Sequence, residues 1–523
     1  MTHHGFESYF VEDEGLLAVA GEGRSSAALA AAPPFRFSRM GPNGRGKQIG
    51  EPNARRVAVA MTRGGGGFGR IPAGFTYLGQ FVDHDLTFDK TTVSLGTNIS
   101  PAALLQARSP SLDLDSLYGA GPGDPVSARF YRDGVHLKMG KTDPVGPPPL
   151  QARDGFDLPR VGGSGSKAKR RKADIPDLRN DENLAVAQTH LAMIRFHNRV
   201  VDSLSSSLPD TMRFAQARDI VTRHYQWMLR TDYLPRVVQP SVVNNVFNNG
   251  RKVFEVGVPA TQVPTMPIEF SVAAFRLGHA MVRQAYDWNA VFGPGAGTLE
   301  LLFVFSGTSG DFIGGVRLPS NWIVDWRRLY DLKGDLSRPD LAPPNAVNRA
   351  GRIDTTLAPF LHSLPTATTG DPAGGIHDDL AFRNLRRAKM VGLATGQQMA
   401  RFIRSKGVTL TPLTRAKIRD GNNGASLNAL TQAQRQAVLT NTPLWFYILR
   451  EAELNNGRLT GVGGRIVAET FHRAIEGSTS SIVRDPAWRP TLGPNNTTFR
   501  MADLLDFAFR GRKNLLAPLG DQV

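Results

Sequence analysis

The chain has 523 residues, of which 41% are hydrophobic and 21% charged, with no cysteine and a formal net charge of +16. That balance is ordinary for a globular protein and supplies a substantial core. The missing cysteines exclude disulfides, thiolate catalysis, zinc–thiolate sites, iron–sulfur clusters and a thiolate ligand to haem iron.

No run of about 18 or more apolar residues occurs, so no membrane span is expected. The first thirty residues lack the basic start and apolar core of a secretory signal, because His3, His4, Glu7, Glu12, Asp13 and Glu14 interrupt them. This leans towards the cytoplasm. Residues 1–34 read as an N-terminal arm and residues 35–523 as one large domain. Gly64 to Gly67 form a hinge before the first segment of interest.

Residues 140–176 are rich in Pro, Gly, Lys and Arg and read as a long basic excursion over the surface. Within it, Lys167, Lys169, Arg170, Arg171 and Lys172 follow Gly162-Gly163-Ser164-Gly165. The run reads as a solvated loop, with no groove-reading motif beside it that would mark a specific nucleic-acid site. Residues 332–378 form a second irregular stretch. No internal repeat occurs.

The remainder is helical in pattern. Residues 183–206 contain neither Gly nor Pro. Ile220, Trp227 and Met228 form an apolar stripe, as do Met399, Phe402 and Ile403, and Val467, Phe471, Ala474 and Ile475. Strand-like alternation is sparse, and residues 300–305 are one candidate. The fold class is therefore mainly α: a single large helical domain with long loops and few short strands.

Four polar constellations interrupt this pattern. The first is Gly79-Gln80-Phe81-Val82-Asp83-His84-Asp85. On a helix Gln80 and His84 share one face, and such polar groups in an apolar segment suit a metal site, an acid/base site or a helix cap. The second runs from Ser109 through Ser111, Asp113 and Asp115 to Gly119. Its alternating hard oxygens suit Ca²⁺, which takes about six to eight oxygen ligands, or a polar turn. The third is Asp177-Leu178-Arg179-Asn180-Asp181-Glu182. Helix capping explains its acids but not Arg179. His190 and His197, further along, read as structural. The fourth is Phe275-Arg276-Leu277-Gly278-His279, where Val272, Phe275, His279 and Val282 share one helical stripe. Gly278 leaves room beside the histidine for a flat cofactor, and haem is commonly held by such a residue.

Taken together and in order, these motifs resemble the animal-type haem peroxidases, the peroxidase–cyclooxygenase superfamily, in its bacterial branch. Asp232-Tyr233-Leu234-Pro235 and Thr442-Pro443-Leu444-Trp445-Phe446-Tyr447 add to the resemblance. It implies a haem b cofactor, Ca²⁺, and a helical haem-peroxidase domain. It further implies a donor:hydrogen-peroxide oxidoreductase working through a high-valent iron-oxo state. By the resemblance, His84 matches the distal acid/base, Gln80 the distal glutamine and Arg179 the distal arginine. His279 matches the proximal iron ligand. Asp83 and Glu182 match the carboxylates ester-linked to haem. Asn384 matches the asparagine behind the proximal ring, and Arg387 an arginine near a haem propionate. Arg276 occupies the position where cyclooxygenases carry a radical-forming tyrosine. Asp85, Ser109, Ser111 (through its carbonyl), Asp113 and Asp115 match the calcium ligands.

Two departures matter. Asn183 stands where the strongest chloride-oxidising relative has a methionine linked to haem. Ala388, Met390 and Val391 replace residues usual in animal members. The expected donors are therefore iodide, bromide, thiocyanate or phenols rather than chloride, and the family is often secreted. The rivals are a haem-dependent fatty-acid dioxygenase of the same fold, a basic polyanion-binding protein with structural haem, and a Ca²⁺ or Zn²⁺ hydrolase. Arg276 speaks against the first, and the absence of a paired-histidine metal motif against the last.

Overall fold

The long helices start where local chemistry starts them. Asn183 has extended backbone, and its side chain accepts from the amide of Val186. That cap opens a helix over Leu184–Ser203, which fits the expected 183–206. Asp379 caps Leu380–Met390 by accepting from the Ala381 and Phe382 amides. Thr395 and Gln398 form a reciprocal capping box at the start of Gly396–Ser405. The stripes read from the sequence all turn inward. Met399, Ile403, Val467, Phe471, Ala474 and Ile475 are buried in one continuous apolar core.

The computed structural model describes residues 35–521, apart from 63–66, 92, 94, 95 and 364–377. The expected arm at 1–34 and most of the Gly64–Gly67 hinge lie outside the described residues. Helices dominate. The helix Gly74–Leu86 packs against Leu184–Ser203, which in turn packs against Asp210–Met228 and Met501–Ala508. Gly461–Glu476 packs against Pro240–Asn249 and Leu444–Glu453. The strands are short and form two-stranded pairs only. One of them joins Phe68–Pro72 antiparallel to Arg349–Gly351 and sets the entry to the 74–86 helix. No helix among the described residues is long and apolar enough to cross a membrane.

The structure departs from the sequence reading in four places. Residues 300–305 are not a strand. Thr298 accepts from the Leu301 amide and starts a helix over Leu299–Val304, so the cap settled what a short apolar run leaves ambiguous. The stripe from Val272 to Val282 is not one helix. Ala273 leaves helical backbone (φ −135°, ψ −69°), and the segment continues as a 3-10 turn, Ala274–Leu277, and a short helix, Gly278–Met281. The 140–176 excursion is partly ordered by the strand pair Gly140–Lys141 and Asp154–Asp157, with Phe156 and Leu158 buried. The basic run is a short helix, Lys167–Arg171, capped by Ser166, rather than a loop.

Candidate active site

The helix Gly74–Leu86 can approach its neighbours because residue 79 lacks a side chain. A Cβ there would lie 2.5 Å from the Tyr233 hydroxyl. Tyr233 closes a π-helical turn, Leu229–Tyr233, a local irregularity that often marks a functional position. Gln80, Asp83 and His84 follow one another at helical spacing and share a face, and all three line one cavity. Asp85 serves a different purpose. Its carboxylate accepts from the Leu114 and Ser116 amides.

The segment after Asp177 supplies the facing wall. Asn180 Oδ1 accepts from His84 Nδ1 at 2.9 Å. An amide oxygen only accepts, so this bond puts the histidine proton on Nδ1 and leaves Nε2 with its lone pair. His84 Nε2 lies 3.7 Å from Glu182 Oε1. Glu182 also accepts a short hydrogen bond from Gln80 Nε2. Asn183, besides capping its helix, donates to Gln80 Oε1 at 3.0 Å, so the glutamine is held at both ends.

Arg179 does not line the cavity. Its guanidinium is fully buried behind the histidine and donates to the His84 carbonyl at 2.8 Å and to both oxygens of Asp177. It stacks over Phe88 at 4.1 Å. Burial opposes charge on Asp177, but Arg179 and Arg108 hold its carboxyl well below the usual range. The nearest carboxylate thus takes the fork of the arginine that the resemblance placed at the reaction centre.

The proximal wall comes from the broken 272–282 segment. Phe275, Arg276, Gly278 and His279 line the same cavity as His84. A Cβ at Gly278 would meet nothing within 4 Å, so the space that the glycine was expected to leave is present. The Asn384 amide lies 2.9 Å from His279 Nδ1. The atom facing the ring is Nδ2; turning the amide over would put Oδ1 there to accept the Nδ1 proton and leave Nε2 as a ligand. Trp445 meets the ring edge-on at 6.2 Å. Arg276 donates from Nε to the Ser271 carbonyl at 2.9 Å. Arg387, on the Asn384 helix, is buried, ion-paired with Asp89 at 2.5 Å, and does not line the cavity.

The second constellation is brought together beneath Asp85. Burial, and then the neighbouring Asp115, pushes Asp85 up to about 8. Burial, and then Asp115, pushes Asp113 up to about 6. Asp113 accepts from the Thr479 amide, Asp115 lies 3.6 Å from Arg218, and Ser111 donates to the Gly477 carbonyl. Ser109 is buried nearby in sequence. Among the described residues, no three His, Cys, Asp or Glu side chains are arranged to hold a metal ion.

His190 and His197 behave as structural residues. Burial pulls them down to about 3 and about 4 respectively, so both stay neutral. His197 bonds the Tyr118 hydroxyl and the Val135 carbonyl.

The sequence reading missed Asn180 as the partner of His84, Asn183 as the partner of Gln80, and Tyr77 and Tyr233 in the cavity wall. Nothing in residue spacing announces a contact between positions 84 and 180. Only the packing of two helices creates it.

The cavity walls are largely apolar, including Phe303, Leu361 and Val282, with two histidines among them. A flat, largely apolar group held through one histidine nitrogen would fit this donor set, and haem is such a group. The fold is the mainly helical one expected for a haem-peroxidase domain.

The sequence model of the animal haem peroxidase family matches residues 88–291. Heme peroxidase 2 of Caenorhabditis elegans is 26% identical over 196 residues, 36% of this chain and 26% of that protein. The chain thus spans about a quarter of that relative's length. Peroxidase A from Dictyostelium discoideum superposes with a TM-score of 0.56 at 16% identity, covering 90% of this chain and 95% of that one. Fatty acid alpha-dioxygenase of Arabidopsis thaliana superposes with a TM-score of 0.53 at 13% identity, covering 90% and 76%. Residues 88–291 are thus similar in sequence to the animal haem peroxidase family, and the fold of the chain is similar to that of these two solved structures.

Proposed function

We propose that this chain is a haem peroxidase that reduces hydrogen peroxide and oxidises small donors: halides other than chloride, thiocyanate or phenols. One observation carries the reading. His84, with its tautomer fixed by Asn180, lines the same cavity as His279, which is backed by Asn384. Bound there through His279, haem supplies the iron at which the peroxide bond breaks.

The protein's own part is proton management. His84 Nε2 takes the proton from one peroxide oxygen and returns it to the other, which leaves as water. Gln80, held by Glu182 and Asn183, positions small polar molecules beside His84. Arg179 acts in this arrangement as a positioning residue, because its bond to the His84 carbonyl fixes the helix that carries the base. Arg276 brings a cation to the cavity wall, suited to an acidic edge of the cofactor or an anionic donor. Arg387 contributes by anchoring the Asn384 helix through Asp89.

The test is an absorption spectrum of the haem-supplied protein before and after one equivalent of hydrogen peroxide. A Soret band that shifts within milliseconds and recovers with iodide or a phenol supports the reading. Absence of any Soret band removes it.

Asp83 and Glu182 both border the cavity, so haem esters are part of the proposal. Acidified organic solvent should fail to extract haem from the parent after peroxide turnover. It should extract it fully from the Asp83→Ala, Glu182→Ala double variant. Equal extraction from both would rule the esters out.

Calcium is proposed at Asp85, Ser109, Ser111, Asp113 and Asp115, where three acids share a buried corner. Added Ca²⁺ should then raise the melting temperature. At a hundredfold excess over its Kd, the stabilisation is about 2.7 kcal/mol. A melting temperature that neither Ca²⁺ nor a chelator moves would remove calcium from the account.

A second reading, a fatty-acid dioxygenase, is favoured by one feature. Tyr77 lines the cavity with its hydroxyl 2.8 Å from that of Tyr286, which lies on the short strand Ala285–Tyr286. Oxygen uptake with oleate in the absence of peroxide would support it over the first.

A further inference from the structure

The basic run singled out in the sequence contributes one residue, Arg170, to the wall of a hollow. The helix Lys167–Arg171 is tied down by a hydrogen bond from Lys167 Nζ to the Gly314 carbonyl, 2.7 Å. Between it, residues 132–141, residues 159–163 and residues 316–317 lies a concavity of about 390 Å³. Six cationic side chains line it: Arg132, Lys138, Lys141, Arg160, Arg170 and Arg317. No carboxylate lines it.

The counter-charges lie outside the hollow. Asp133 lies against Arg132 and Asp174 against Lys138, while Asp154 and Asp143 lie 4.0 and 3.5 Å from Lys141 and Arg317. Arg160 is held from behind by Asp157 and Asp181. Arg170 has no ion pair among the described residues, and its Nε is shielded from solvent with no hydrogen-bond partner there.

We propose that this hollow binds a compact oligophosphate, a triphosphate chain being the shortest that suits it. A concave wall of one charge focuses its field inward. Arginine forks match phosphate oxygens two at a time. Six cations converging on one hollow call for several negative charges within a small volume, more than a single phosphate carries. A long polyanion would call for a basic stripe across the surface, whereas these cations are drawn from four segments into one hollow. The triphosphate is either a free inorganic chain or the tail of a nucleotide. The proposal stands apart from the haem reading.

The test is calorimetric titration of the full chain with sodium triphosphate, repeated with the Arg170→Ala, Arg317→Ala double variant. These positions avoid Arg160, which braces Asp157 and Asp181. The expected result is one site of micromolar affinity, weakened about tenfold or more in the variant by loss of charge-assisted contacts. Binding should also weaken with added salt, as screening shortens the reach of each charge. The variant should keep the parent's melting temperature and Soret band. ATP binding more tightly than triphosphate supports a nucleotide as the source. Equal binding supports the phosphate chain alone. The proposal fails if triphosphate gives no heat, or if parent and variant bind it equally. It also fails if inorganic phosphate binds as tightly, or if heparin or duplex DNA binds and triphosphate does not displace it.

Discussion

Replacing His84 with alanine is expected to leave haem bound and to slow peroxide cleavage by about 10²–10⁴-fold, the usual worth of a positioned acid/base. The argument rests on geometry. Asn180 Oδ1 accepts the Nδ1 proton at 2.9 Å, so Nε2 is the basic nitrogen of the ring. His84 is almost fully buried, so bulk water cannot take its place readily. The measurement is the stopped-flow rate of Soret change against peroxide concentration. Wild-type cleavage rates in the variant would end the assignment. Asn180→Ala is the companion variant, since it keeps the imidazole but frees its tautomer. Its rate should fall between parent and His84→Ala, with a changed pH profile. A purely structural role for Asn180 would lower the melting temperature and leave that profile unchanged.

Replacing His279 with alanine is expected to abolish stable haem binding while the chain still folds. The ring is only partly buried, lines an existing cavity, and touches Asn384 and Trp445. Its loss therefore enlarges a space that is already open and leaves Asn384 able to meet water. Far-ultraviolet circular dichroism and the apo-protein melting temperature should match those of the unloaded parent. The haem-to-protein ratio should fall towards zero, and added imidazole should restore part of the Soret band. A variant that holds haem like the parent would move the iron ligand elsewhere. Asn384→Ala should retain haem but bind it less tightly, because the residue behind a ligating histidine fixes its orientation and raises its basicity.

Much of the site is legible in the amino-acid sequence because helical spacing is a local property. Gln80, Asp83 and His84 had to share a face once residues 74–86 became helical, and the flanking apolar residues required that helix to be buried. The absence of cysteine excludes thiolate chemistry from the sequence alone. Charge and helix content were likewise set by composition and periodicity.

Tertiary structure decided everything that joins distant segments. The pairing of His84 with Asn180, Gln80 with Asn183, and His279 with Asn384 depends on which helices pack together. Packing also turned Arg179 away from the cavity. Asp177 lies two residues before it, and in a buried setting a guanidinium goes to the nearest carboxylate that satisfies its fork. The strand expected at 300–305 became a helix because one threonine cap outweighed a short apolar run that had no period of its own. The basic segment after Ser166 changed meaning for the same reason. Its charge was written in the sequence, but the hollow that Arg170 helps to line exists only where four stretches of chain meet.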